Sequence, residues 1–192
     1  VQHLATPEIP NNLADAVDAL EDGLLAANAA VLNIARTQFT GATMGTTFVA
    51  AIIRGNLGFV TWAGDSRLYR VRQGELSALT RDHSRVQELA DQGRLTEELQ
   101  KISANVITRA LGVDELLPAD MSLFTARAGD TFLLCSDGVY NALDQQALLR
   151  SLSGENERQA SQELLAAALI NGARDNVSAV VLRPNFEAGY AN

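Results

Sequence analysis

Two aspartates in this chain sit where an apolar run meets a polar turn, a placement from which a divalent-metal site can be built. The first is Asp137. The run Thr131-Phe132-Leu133-Leu134-Cys135 is apolar or β-branched throughout and follows the turn signal Ala128-Gly129-Asp130. It predicts a buried strand that ends at Ser136 and delivers the Asp137 carboxylate at its tip. Gly138 permits a sharp turn there and, lacking a Cβ, leaves room for close approach to Asp137. The second is Asp175, in Gly172-Ala173-Arg174-Asp175-Asn176, at the entry to a last strand predicted over residues 177–182. Between them lie two predicted helices, residues 144–151 and 157–171, capped by Asp144 and Asn156. A helical excursion between two antiparallel neighbours returns the chain to the sheet edge it left, so both carboxylates would meet there. Taken singly, Ser-Asp-Gly and Asp-Asn are ordinary polar turns. The pair carries the argument.

Composition bounds what the surrounding elements can be. At 192 residues, 47% of them hydrophobic, the chain can bury a core as a single domain. A net charge of -8 argues against a nucleic-acid partner, which draws on clustered Lys and Arg. The single cysteine, Cys135, falls inside the apolar strand; it reads as a buried thiol, allows no disulfide within one chain, and fits a reducing compartment. No apolar run approaches ~18 residues and no cationic region precedes an apolar one, so neither a membrane span nor a secretory signal is expected. The expected location is the cytoplasm.

Leu13, Val17, Leu20, Leu24, Ala27, Val31 and Ile34 recur at steps of four and three, which draws one apolar stripe along a helix over residues 13–36. Pro7 and Pro10 keep the approach extended, and Asn11 or Asn12 caps the first turn. Beyond Gly41 the period becomes strand-like. Residues 46–53 and 57–63 are β-rich runs joined by the hairpin signal Arg54-Gly55-Asn56, and a third run, 68–72, turns at Gln73-Gly74 towards Leu76. These predict an antiparallel meander. Between the second and third runs, Gly64-Asp65-Ser66-Arg67 reads as a tight loop exposing Asp65. A strand over 121–125 is expected to pair with 131–135 through the turn at 127–130. The polar segment from about Thr80 to Ser103 carries short helices starting at Arg85 and near Thr96, and reads as a surface lid rather than core. Its His83 could serve as an acid or base, but reads rather as a surface or loop-stabilising residue, and no chemistry is assigned to it.

Six motifs, in order, then give a resemblance. Met44-Gly45-Thr46-Thr47, Gly64-Asp65-Ser66-Arg67, Asp82-His83-Ser84, Ile107-Thr108-Arg109-Ala110-Leu111-Gly112, Ser136-Asp137-Gly138 and Gly172 through Ser178 together resemble the metal-dependent type 2C serine/threonine protein phosphatases (the PPM family), most of all the compact bacterial members. The resemblance covers the chain from about Gly41 to Leu182. It implies an α+β fold, an antiparallel β-sandwich flanked by helices, with Mg²⁺ or Mn²⁺ bound in a cleft between the sheets. It implies that Asp137 and Asp175 are metal ligands at the catalytic centre, that Asp65 helps hold a third, weaker metal, and that residues 83–103 form a flap beside the cleft. The implied substrate is a phosphoserine or phosphothreonine protein, and some bacterial members oppose a serine/threonine kinase.

The chemistry of the residues agrees with that implication. Hard carboxylate oxygens with waters suit Mg²⁺ and Mn²⁺, whereas zinc would want Cys and His. Two such ions about 3.5–4 Å apart lower the pKa of a bridging water and neutralise phosphoryl oxygens during in-line attack. One departure stands out. The family's opening strands, with an acidic metal ligand and a phosphate-binding Arg, and its Asp-Gly-x-Gly-Gly loop are not found in this sequence, whose Asp22-Gly23 lacks the following glycines. The chain therefore reads either as an amino-terminally incomplete phosphatase, with missing strands and a tendency to instability or strand exchange, or as a protein that keeps the fold and binds without turnover. Residues 186–192 read as a frayed tail.

Overall fold

The computed structural model describes residues 12–39, 43–103 and 105–185; the expected extended approach at Pro7 and Pro10, the alternative cap Asn11 and the tail at 186–192 lie outside them. Helix α1 runs Leu13–Gln38, and its cap is Asn12, whose Oδ1 accepts from the Asp15 amide at 2.8 Å. The stripe is only half-buried, and Ile34 at its end is exposed. What fastens the helix is a polar residue inside it. Asn28, 2% exposed, donates to the carbonyls of Asp114 and Glu115 and accepts from the Gly112 amide at 2.7 Å. Such a buried amide is costly unless satisfied on both sides, and here it is.

Seven strands form two antiparallel sheets. The first has the order β1 (Phe48–Arg54), β2 (Leu57–Ala63), β5 (Asp120–Thr125); the second has β4 (Glu75–Ala78), β3 (Arg67–Arg72), β6 (Thr131–Cys135), β7 (Ala179–Leu182). Both expected hairpins form, and Gln73 and Gly74 turn the second with φ of 53° and 81°, the two left-handed residues that a tight turn between twisted strands requires. The continuous meander does not form. After β2 the chain passes at residues 64–66 into the other sheet, so the two hairpins lie in different layers. The expected pairing of β5 with β6 is likewise replaced: β5 pairs with β2, β6 pairs with β3, and the 126–130 turn is an arch from one sheet to the other. The reason is packing. Phe124 of β5 and Phe132 of β6 face each other across the interior with ring centroids 5.2 Å apart, joined there by Val60, Trp62 and Leu68. Side by side in one sheet they could not fill that space.

Strand β6 is buried on both faces, which explains its unbroken apolar run. Phe132 points between the sheets, while Leu133 and Cys135 point outward under two helices, α5 (Gln145–Leu152) and α6 (Glu157–Ile170). These press Leu148, Leu152, Ala160, Leu164 and Ala168 against the sheet. Asp144 and Asn156 cap them as expected, each accepting from the amide three residues on. Cys135 is the buried thiol anticipated, its pKa pushed up to about 12 by burial. Helices α2 (Arg85–Asp91) and α3 (Glu97–Ser103) fill the polar segment, and a single helical turn, α4 (Asp137–Tyr140), follows β6. No helix among the described residues is long and apolar enough to cross a membrane.

Candidate active site

The β6–β7 ladder brings the two aspartates to one edge. Its last paired residues are Cys135 and Ala179, and it continues through a bond from the Ser136 amide to the Ser178 carbonyl at 3.1 Å. Ser136 does not cap α4 with its side chain. Its Oγ instead donates to the Asn176 carbonyl at 3.0 Å and accepts from the Ser178 amide at 3.1 Å, clamping the Asp175–Asn176 turn against the turn that carries Asp137. Gly138 completes the fit, because the Asn176 carbonyl occupies the space a Cβ would need. The space at Gly138 thus admits the partner loop's backbone. In that loop Asp175 Oδ1 accepts from the Asn176 amide at 2.6 Å.

The arch between the sheets supplies the third carboxylate. Gly64 has φ of 111° and packs its α-carbon against Thr47, leaving no room for a side chain. Its amide donates to His83 Nδ1 at 3.2 Å and its carbonyl accepts from the His83 amide at 2.8 Å. His83 is buried, stacks on Trp62 at 5.9 Å, and places Nε2 3.1 Å from Asp120 Oδ2. Of the two structural roles open to His83, a surface position does not hold, because the ring is buried, while its bonds to Gly64 tie the loop to the arch. Next to Asp65, Arg67 forks onto Asp82 at 2.7 and 2.8 Å and lies 3.6 Å over the Tyr140 ring. Tyr140 Oη donates to the Asp65 carbonyl at 3.0 Å, so α4 holds the Asp65 backbone one helical turn after presenting Asp137.

These loops surround a cavity of about 860 Å³ lined by Asp65, Asp137 and Asp175, with Thr47 and Asn141 among the other oxygen donors. Burial raises the Asp65 carboxyl above the ordinary carboxylate range, and the nearby Asp137 charge raises it further. The Asp137 charge is the smaller of these two causes, and it places the two carboxyls within electrostatic reach of each other. Among the described residues, no group of three or more His, Cys, Asp and Glu side chains is arranged to hold a metal ion. The donor chemistry still fits Mg²⁺ or Mn²⁺, since Mg²⁺ is commonly held by one or two carboxylates with waters and substrate phosphate completing the octahedron. Arg174 is the one cation among the lining residues, and it is exposed. Sequence reasoning assigned no role to Arg174, Asn141 or Tyr140. The signal for Tyr140 was its place three residues after Asp137, on the same helical turn.

Comparison with known proteins identifies the family. The family profile described as Protein phosphatase 2C matches residues 4–177. The serine/threonine protein phosphatase PstP of Mycobacterium tuberculosis is 39% identical over 140 residues, 72% of this chain and 27% of the relative. The serine/threonine phosphatase stp of Listeria welshimeri is 32% identical over 148 residues, 74% of this chain and 58% of the relative. The chain thus spans well under two thirds of the length of these relatives. Among solved structures, PppA, described as a key regulatory component of T6SS in Pseudomonas aeruginosa, superposes with a TM-score of 0.82 at 40% identity, covering 91% of this chain and 72% of that one. The catalytic domain of PstP in complex with two manganese ions superposes with a TM-score of 0.78 at 35% identity, covering 93% of this chain and 74% of that one. The chain belongs to the protein phosphatase 2C family.

Proposed function

We propose that this chain carries out protein serine/threonine phosphatase chemistry, hydrolysing phosphoserine and phosphothreonine monoesters at the cleft where Asp65, Asp137 and Asp175 converge. The observation that carries the reading is the Ser136 clamp, which holds the Asp137 and Asp175 turns face to face on one cavity. Asp137 and Asp175 are the metal-holding carboxylates of the reaction centre, and Asp65 contributes to a further, weaker position. Mg²⁺ or Mn²⁺ bound there supplies an acidified water and charge neutralisation for the phosphoryl oxygens. The chain's own residues do the positioning. Arg174 offers a guanidinium to the phosphate dianion, Asn141 an amide, and the clamp keeps the two carboxylates from drifting apart. Residues 83–103 are assigned the role of a flap; the chain directly after them reaches the cavity at Asn105 and Ile107.

The substrates are phosphoproteins made by a serine/threonine kinase acting in opposition, and the setting is cytoplasmic signalling, consistent with a lone buried thiol. The reaction is tested with p-nitrophenyl phosphate and Mn²⁺. Wild-type protein is expected to turn it over, with Asp137→Asn and Asp175→Asn each at least roughly 100-fold slower. Full rate in Asp137→Asn would remove that residue from the mechanism. A second reading, a phosphatase fold that binds without turnover, is favoured by the absence of a three-ligand metal group among the described residues. It predicts phosphopeptide binding that EDTA leaves unchanged.

A further inference from the structure

Asp65 reaches the cleft from the arch between the sheets, and the residue before it is a glycine, the type whose backbone is freest to move its neighbour. Gly64, with φ of 111° and no Cβ, gains no stiffness from a side chain of its own. The stiffness comes from His83. Its main-chain amide donates to the Gly64 carbonyl at 2.8 Å, which fixes the peptide group leading into Asp65. Its Nδ1 accepts from the Gly64 amide at 3.2 Å, which fixes the peptide group before that one. On the far side, Tyr140 Oη holds the Asp65 carbonyl. The peptide groups on both sides of Asp65 are thus tied, and with them the direction in which its carboxylate leaves the chain.

The His83 ring is itself held so that only one tautomer fits. A backbone N–H always donates, so the nitrogen facing Gly64 carries no proton and the ring proton sits on Nε2. Nε2 lies 3.1 Å from Asp120 Oδ2, the acceptor that this tautomer needs. Burial works against charge on Asp120, but the bonds from His83 and from Arg109, the latter at 2.6 Å, hold its carboxyl below the ordinary range. The 3.5 Å approach of Arg109 Nη1 to Nε2 then sets two donors side by side, both serving Asp120. The ring stacks on Trp62, and the His83 carbonyl accepts from the Thr108 amide at 2.8 Å. His83 is not among the residues that line the cleft, so its effect there passes through Gly64. We propose that His83 is a positioning residue for Asp65: its ring, oriented by Asp120, holds Gly64 so that the Asp65 carboxylate stays aimed at the cleft. The inference rests on the reading of Asp65 as a ligand of a further, weaker metal position, and outer groups of this kind set metal affinity by orienting the ligand.

The test titrates Mn²⁺ by calorimetry into the wild-type chain, Asp65→Asn, His83→Gln and His83→Asn. Both His83 variants lose the ring stacked on Trp62, so both are expected to melt at lower temperature. They differ in what they leave beside Gly64. The amide oxygen of His83→Asn falls where Nδ1 stood and still accepts the Gly64 N–H, whereas the amide of His83→Gln falls where Nε2 stood and leaves that N–H without its acceptor. The weaker Mn²⁺ step, marked as the one that Asp65→Asn removes, is expected to weaken roughly tenfold in His83→Gln and to stay within about twofold of wild type in His83→Asn. Equal losses in the two variants, which a merely structural ring would give, overturn the inference, and so does no loss in His83→Gln. The ¹⁵N spectrum of the wild-type ring needs no variant: the proton is expected on Nε2, and a ring that carries it on Nδ1 overturns the inference as well. If Asp65→Asn removes no step, the reading of Asp65 as a ligand falls, and the inference with it. The predicted pattern in a protein that does not turn over p-nitrophenyl phosphate removes the phosphatase reading and leaves the role of His83 standing.

Discussion

Gly138 and Asn176, 38 residues apart in sequence, touch so closely that the Asn176 carbonyl oxygen fills the place of a Gly138 Cβ. The Asp175 carbonyl stands 3.3 Å from the same point. Both obstacles are backbone, and Ser136 locks them in place, so they cannot yield as a flexible side chain would. Gly138→Ala is therefore expected to push the Asp175 turn away from Asp137. Melting temperature should fall by an amount matching about 1–3 kcal/mol of overpacking, and Mn²⁺-dependent turnover should fall far more than stability does. Kinetics and thermal melting on the same preparation check this; unchanged turnover in a folded variant would show that the spacing of the two turns does not matter.

Tyr140 links the other pair of loops. Its hydroxyl holds the Asp65 carbonyl while its ring lies under Arg67, and Tyr140→Phe removes the first contact and keeps the second. The expected stability cost is about 1 kcal/mol, the worth of one neutral hydrogen bond. If Asp65 serves a weakly held metal, the variant needs more Mn²⁺ for half-maximal rate but approaches the wild-type rate at saturation. Reduced rate at saturating Mn²⁺ with unchanged metal dependence would place the role of Asp65 elsewhere.

The arch at residues 126–130 carries a titratable lock. Asp130 accepts both arms of Arg72, at 2.8 and 2.7 Å, and the Arg127 amide at 2.8 Å. Burial alone would raise its carboxyl; the Arg72 fork and the amide outweigh burial and hold it below the ordinary range. A carboxyl depressed in the folded state contributes stability that is present above the unfolded value of about 3.9 and is lost as pH falls through the folded one. Thermal melts from pH 7 to pH 3 are expected to show a drop below about pH 4 that is smaller in Asp130→Asn. At neutral pH that variant should be less stable by about 2 kcal/mol. Parallel pH profiles for the two proteins would exclude Asp130 as the source.

How much of this was legible in the sequence follows from the range of the interactions involved. The caps Asn12, Asp144 and Asn156 act on amides three residues away, so local pattern finds them. The same is true of β6, whose burial on both faces writes itself into five consecutive residues. Asp137 and Asp175 were found because antiparallel neighbours must return to a common edge. The sheet each strand joins was not legible. An arch and a hairpin use the same turn residues, and only the meeting of Phe124 with Phe132 across the interior decides between them. Asn28 was hidden for the same reason, since its three partners lie at least 84 residues away.

The central claim is that Asp137 and Asp175 act on one divalent site. Calorimetric titration of Mn²⁺ into wild-type protein, Asp137→Asn, Asp175→Asn and the double variant measures this directly. The account predicts that each single change weakens Mn²⁺ affinity at least roughly tenfold and that the double variant loses much less than the sum, the mark of two groups holding the same ion. Affinity unaltered by either change, or losses that simply add, would contradict it.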